Sequence, residues 1–382
     1  MAGILVGGSS SIKKPKTTQF YGVEWNFGNP STILSRLGDA IGLTDPQPSV
    51  GSNSGQSPFD NLYPWSEITE HNIINDKIAY AKGDANFSRT AYDTVVRIPK
   101  FWFKTEFGTS TMKFYIATGA ADGYTLHPAF FRGDGVTRDY IYVGKYNTGS
   151  GFVSRSGVAP LVNQTRSYFR SNSASKGTPW WQYDIATYSA VALLYLIEYA
   201  DWNSQQMIGR GVVDTTAAVN NGTTDGLVYH SGRVAGTDGQ TAIQYRWIEN
   251  LWGNVWDFVD GINFNGATPY YCLNPSRFTD DNSTNYTGLA YSALATAGNV
   301  SYPCKLGVDA SAAWLNLPTL GGGSDASYIS DGWWSNTGWR ILIVGGNWTY
   351  ASNAGLFARL ADNASSGAYA GANIGGRLLF LP

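Results

Sequence analysis

Side chains able to ligate a metal, move a proton or attack a carbon are few in this chain, and they are scattered. His71, His127 and His230 are the only histidines. They stand far apart and in no ligand spacing, so nothing marks a histidine-held metal. Cys272 and Cys304 are the only cysteines, and neither belongs to a CxxC pair, which argues against zinc. A disulfide between them would stabilise the fold by about 3–4 kcal/mol on a loop-entropy estimate. Two buried free thiols are the other reading, and the sequence leaves both open. The best acidic cluster, Asp280-Asp281 followed by Asn282, falls short of an oxygen cage for calcium and reads as a solvated turn. No Gly-x-Ser-x-Gly elbow or phosphate-cradling glycine loop occurs. The expectation is therefore no catalytic residue, no metal and no cofactor.

What the residues do offer is binding chemistry, concentrated at the end of the chain. A strand-like run, Ile341 to Val344, meets Gly345-Gly346 and then a stretch rich in Asn, Ser, Ala, Gly and Tyr. A second strand-like run, Arg377 to Leu381, closes it. Small polar residues with an occasional tyrosine hydrogen-bond adaptably and anchor through an aromatic ring, as binding loops do. The competing reading is a Gly/Asn-rich loop that is merely solvated. Tyr350, Phe357, Tyr369 and the nearby tryptophans carry more aromatic area than an idle loop needs, and exposed aromatics are common anchors.

These segments need a scaffold, and 382 residues suffice to bury a sizeable core. Charged residues make up 14%, aromatics another 14%, and glycine numbers 45. That balance suits a rigid extracellular or virion protein of strands and long ordered loops, and it excludes disorder. A net charge of −2 leaves no electrostatic footprint for nucleic acid or an anionic membrane. No apolar run approaches the roughly 20 residues that span a bilayer. The N-terminal apolar patch is short and precedes Lys13, Lys14 and Lys16, the reverse of a signal peptide.

Residues 1–20 read as an N-terminal arm, 21–178 as a strand-rich attachment region, and 179–382 as the ligand-binding domain, with a variable stretch at about 345–375. Asn29-Pro30-Ser31 is expected to cap a short amphipathic helix carrying Ile33, Leu34, Leu37 and Ile41. Thr94–Lys104 and Lys113–Ile116 read as a hairpin, and Asp139–Gly144 as another strand. Ile185 to Asp201 is apolar almost all round and predicts a buried helix. Residues 211–242 and 263–300 read mainly as loop. Few helices among many short strands make α+β the expected class.

Tyr245 to Asn263 is first of all a core signature: Trp247, Leu251, Trp252, Val255, Trp256 and Phe258 supply apolar area. Gly253 permits a close turn, and Asn250 and Asn254 suit such turns by bonding their own backbone. Ser330 to Arg340 adds three tryptophans. The block Gly253–Phe258, the run Arg340–Trp348, the internal Arg359 and the closing Asn373–Phe380 occur in an order that resembles the C-type lectin fold. The resemblance is to the branch shared by formylglycine-generating enzymes and the variable proteins of diversity-generating retroelements, and it covers roughly 179–382. Residues 21–178 look like a companion region of phage and prophage proteins. Gly376 departs from the pattern, since relatives often carry an aromatic there.

The resemblance implies a C-type lectin-like C-terminal domain behind a strand-rich N-terminal region. Its enzyme branch needs cysteines just after the Gly-Gly turn, where Asn347-Trp348-Thr349-Tyr350-Ala351 stands instead. Its iron-dependent relatives need a histidine cluster that is missing, and the Glu-Pro-Asn and Trp-Asn-Asp patterns of calcium-dependent lectins are absent too. The variable-protein branch remains. It implies a ligand-binding face made of Asn347, Thr349, Tyr350, Ser352, Asn353, Phe357, Arg359, Asp362, Asn363, Ser365, Ser366, Tyr369 and Asn373. Trp348, Gly355, Leu356, Ile374 and Leu378 would hold the frame between them. The expected role is receptor binding by a phage or prophage particle, in the virion tail or at a bacterial surface. The expected partners are a host cell-surface protein or glycan and other tail proteins, and the family implies a homotrimer. The alternatives are a structural tail or surface protein without a specific ligand and, behind it, a formylglycine-generating-type oxidase.

Overall fold

The computed structural model describes residues 17–361 and 369–382. It corrects the expected class. Strand makes up 34% and helix 12%, arranged mostly as β-sheets with a half-barrel. The chain is a mainly β protein, and neither α+β nor a defined lectin-type fold describes it. The physical reason lies in strand length. Pairs such as Ser49–Val50, Gly232–Arg233 and Thr287–Gly288 are too short to show an alternation of period two, so they read as loop.

The N-terminal five-stranded sheet runs in the order Ser35–Gly38, Phe20–Asn26, Thr111–Ala117, Trp102–Phe107 and Thr125–Leu126, all antiparallel. The amphipathic helix expected over 29–41 is absent. Ile33 and Ile41 stand 68% and 69% exposed, and Ser35–Gly38 pairs as an edge strand. Gly38 turns the chain at φ +60°, and a Cβ there would lie 2.2 Å from the Phe20 carbonyl oxygen. The expected hairpin is half right. Trp102–Phe107 pairs with Thr111–Ala117, whereas Asp93–Pro99 pairs with Tyr140–Asn147 and Thr69–Ile74 in another sheet. Pro99 has no N–H to continue a ladder, and the chain changes sheets after it.

That second sheet has six strands, ordered Trp180–Gln182, Arg377–Phe380, Tyr140–Asn147, Asp93–Pro99, Thr69–Ile74 and Lys77–Ala81. The last strand of the protein thus lies inside a sheet drawn largely from residues 69–147, so the sheet crosses the boundary drawn at 178/179. A third sheet centres on Trp256–Asn265, flanked by Thr268–Tyr271 on one side and Trp339–Val344 on the other. The register with the latter places Asp257 opposite Val344.

Helices α1 (Arg166–Ala174), α2 (Ile185–Tyr199) and the short α3 (Ser204–Met207) succeed one another along the chain. The buried helix expected from Ile185 onward is α2. Asp184 caps it by accepting from the Thr187 N–H at 2.8 Å, and Ala200 ends it in the left-handed region at φ +51°. Its one acidic residue, Glu198, is fully buried and would be costly there without partners. It accepts from Ser57 Oγ (2.8 Å), Tyr245 Oη (3.0 Å) and the Arg246 guanidinium (2.5 and 3.0 Å). Both cysteines are free thiols, so no disulfide joins them. At Gly376 the space of an aromatic is taken by Phe169 of α1, whose ring would lie 2.9 Å from an added Cβ.

Arg377 ties these sheets together. Its guanidinium is buried, and all five of its N–H donors are engaged. Nε meets Asp257 Oδ2 at 2.9 Å, one terminal nitrogen meets the Gly144 and Lys145 carbonyls at 3.1 Å, and the other meets the Glu249 and Asn250 carbonyls at 3.0 Å. Replacing Arg377 with Met strands a buried carboxylate and four carbonyls. The expected loss, read by urea unfolding, is about 3–5 kcal/mol.

Candidate functional site

The expected binding face begins where the Trp339–Val344 strand ends. Gly345 and Gly346 turn the chain at φ +93° and +84°. A Cβ on Gly345 would lie 2.7 Å from the Leu251 carbonyl oxygen, and one on Gly346 2.6 Å from Ala354 Cβ, so only glycine fits either place. Asn347 then folds its buried side chain back on its own turn. Its Oδ1 accepts from Thr349 N–H (2.8 Å) and Thr349 Oγ1 (3.0 Å). Backbone bonds pin the next residues: Trp348 N–H to Asn254 O at 3.1 Å, Thr215 N–H to Trp348 O at 2.8 Å, and Ala351 N–H to Val213 O at 3.1 Å.

The thirteen expected face residues separate into four groups. Thr349 and Ser352 are exposed, and Tyr350 and Asn353 are half-buried. Tyr350 packs edge-on against Trp256 and Trp334, at 4.8 and 5.3 Å between ring centres. Asn353 Oδ1 accepts from Tyr302 Oη at 2.6 Å. These four form one short ridge. A second group points inward. Asn347 is buried, Phe357 is buried against Trp202 and Tyr195, and Arg359 stacks on Tyr188 and donates to the Asn316 carbonyl at 2.9 Å. Asn347 and Phe357 are therefore supports of the face, since a buried side chain cannot meet a partner. Tyr369 packs on the core cluster that holds Trp256, and the Asn373 carbonyl accepts from Trp256 N–H at 3.0 Å. Asp362, Asn363, Ser365 and Ser366 lie outside the described residues.

Beside the ridge lies a polar cleft of about 370 Å³, with Ser352 on its rim. Its other walls come from α3 and from Arg210, Arg233 and Asp325. Gln205 fastens α3 to the ridge, donating to the Ala351 and Ala354 carbonyls at 2.9 and 2.6 Å. Asn203 caps the helix by accepting from Gln206 N–H at 2.9 Å. Of this group, only Ser352 stands out in the sequence. The others come from three separate loop-like stretches with no shared spacing, so no local signal marks them.

Asp331 holds the far end of the ridge. It accepts from Phe357 N–H at 2.7 Å, and a Cβ on Gly355 would lie 2.2 Å from its carboxylate. Burial drives this carboxyl well above its ordinary range.

The groups with potential chemistry stay apart. His127 is fully buried among Phe101, Phe103, Phe130 and Trp314. His71 packs on Tyr142, and His230 bonds Asp60 at 2.7 Å. Burial alone would raise Asp280, but Arg166 and Arg170 hold it at about 2. Among the described residues no group of three His, Cys, Asp or Glu side chains is placed to hold a metal ion. An apolar cavity of about 60 Å³ between α2 and Phe357 has room for a few waters and little more.

No protein-family model matches the chain, and no curated protein matches its sequence.

The raised carboxyl of Asp331 sets a pH dependence. The folded state holds this proton more tightly than the unfolded chain, so the contribution is full below about pH 4 and lost as pH rises toward the folded value. Asp331→Asn keeps an acceptor for Phe357 N–H and removes that loss. The variant is expected to be at least as stable at pH 7, with its advantage vanishing near about pH 3, as melting curves across pH would show.

Proposed function

We propose that this protein is a receptor-binding component of a phage or prophage particle. It recognises a host-surface protein or glycan non-covalently, through the 349–353 ridge and the cleft beside it. The observation that carries the reading is the contrast within one short segment. Thr349 and Ser352 face solvent, while the residues on either side are locked by glycine-only turns, a buried Asn347 and backbone bonds to Val213, Thr215 and Asn254. A polar face on a fixed backbone loses little order on binding. No catalytic step belongs to this reading.

The resemblance of the tail to diversified variable proteins adds a pattern of tolerance. Positions 349 and 352 can change side chain at little structural cost, and changes at 350 and 353 give up the packing on Trp256 and Trp334 and the bond from Tyr302, whereas 345, 346, 347, 355 and 357 cannot change. Placement in a virion tail beside other tail proteins, and assembly as a homotrimer, extend the same proposal. Several weak sites on one particle would then reinforce one another by avidity. Among the described residues no helix is long and apolar enough to cross a membrane.

Two measurements test it. Sequences of the gene's 3′ end from sister isolates should vary at codons 349, 350, 352 and 353 and stay fixed at 345–347, 355 and 357. An invariant ridge would remove the diversification proposal. The double variant Thr349→Lys/Ser352→Lys should unfold within about 0.5 kcal/mol of the parent, as exposed substitutions do, yet lose binding to host cells. Undiminished cell binding would count against the ridge.

A further inference from the structure

We propose that the cleft beside Ser352 binds a neutral saccharide of one or two rings; this rests on the receptor-binding reading and names the ligand class for that site. The cleft's volume of about 370 Å³ sits at the lower end of the roughly 300–1,000 Å³ typical of ligand pockets. Every residue lining it is polar, and no aromatic or aliphatic residue contributes a wall. An apolar ligand would find only the methylene stems of these side chains to pack on, whereas a ligand dense in hydroxyl groups could also exchange water bonds for bonds to their polar ends.

The walls carry both donors and acceptors, which a hydroxyl group can use in turn. Arg233 donates one terminal N–H to the Ile208 carbonyl at 3.2 Å, and its buried Nε–H has no hydrogen-bond partner among the described residues. The amide of Gln206 and the exposed carboxylate of Asp325 add a donor and acceptors, and the Ser352 hydroxyl can act as either. Charge favours a neutral ligand over an acidic one. The two guanidiniums, Arg210 and Arg233, face two carboxylates: Asp214, which pairs with Arg210, and Asp325 in the same cleft. No net positive charge is left over to hold a carboxylate or phosphate. The walls are also preset, because Gln205 ties α3 to the ridge and Asn203 caps it, so little order is lost on binding.

The test uses the full chain and calorimetric or saturation-transfer titration. The probes are methyl glycosides of glucose, galactose and mannose, with lactose and cellobiose, and glucuronic and N-acetylneuraminic acids as the acidic set. At least one neutral sugar should bind, with a Kd of about 1 mM, ordinary for a single small site. Asp325→Asn, an exposed change that leaves the fold intact, and Arg233→Gln should each weaken it about tenfold or more. Lys77→Ala, an exposed change on the edge strand Lys77–Ala81 and part of neither the ridge nor the cleft, should leave it unchanged. Three results would overturn the inference: no neutral sugar bound at tens of millimolar, binding indifferent to Asp325→Asn and Arg233→Gln, or binding of acidic sugars alone. Host cells bound without any saccharide bound would sink this inference and leave the receptor-binding reading standing. Neither cells nor sugars bound would sink both.

Discussion

The placement of the candidate face traces back to one buried guanidinium, that of Arg377. Its hydrogen bonds reach the neighbouring strand at Gly144 and Lys145, the turn at Glu249 and Asn250, and the core strand at Asp257. A buried charge this far from water is tolerated only when every donor is met. Asp257, in turn, accepts from Asn147 at 2.9 Å and lies opposite Val344 in the sheet. Val344 is the residue just before Gly345-Gly346. The end of the chain thus fixes the place from which the candidate ridge departs, although the whole stretch 347–376 separates the two in sequence.

From that anchor the ridge is built by exclusion. Two glycines at positive φ leave no room for a Cβ, Asn347 is turned inward, and Gly355 yields to the Asp331 carboxylate. What remains outside is short: Thr349, Tyr350, Ser352 and Asn353. Tyr350 is itself half-held by Trp256 and Trp334, so its ring has one face on the core and its orientation is set. Rigidity of this kind reduces the entropy lost when a partner arrives.

Much of the core was legible in the sequence and much of the fold was not. Trp252, Val255, Trp256 and Phe258 were readable as core because so large an apolar cluster has to leave water, and all are buried. The helix over Ile185–Tyr199 was readable on the same ground. Asn250 and Asn254 do adopt the left-handed region, at φ +48° and +63°. Asn254, however, sends its side chain to Val219 and Asn147, tertiary partners no local pattern announces. The class was misread because strands of two to four residues leave no periodicity, and because Ile33, Leu34, Leu37 and Ile41 imitate a helical face that the edge strand Ser35–Gly38 replaces. At the site, composition pointed to the segment that holds the ridge but could not tell Thr349 from Phe357. That difference depends on which way the backbone turns after Gly346. The cleft residues Arg210, Arg233 and Asp325 meet only in three dimensions.

Hydrogen–deuterium exchange on the full chain, with and without purified host-cell envelope, probes the ridge and the cleft in one experiment. Slowed exchange is expected only at 349–353 and in the cleft segments around 203–210, 233 and 325. Unchanged exchange there, or protection confined to another surface, would contradict a binding role for this face.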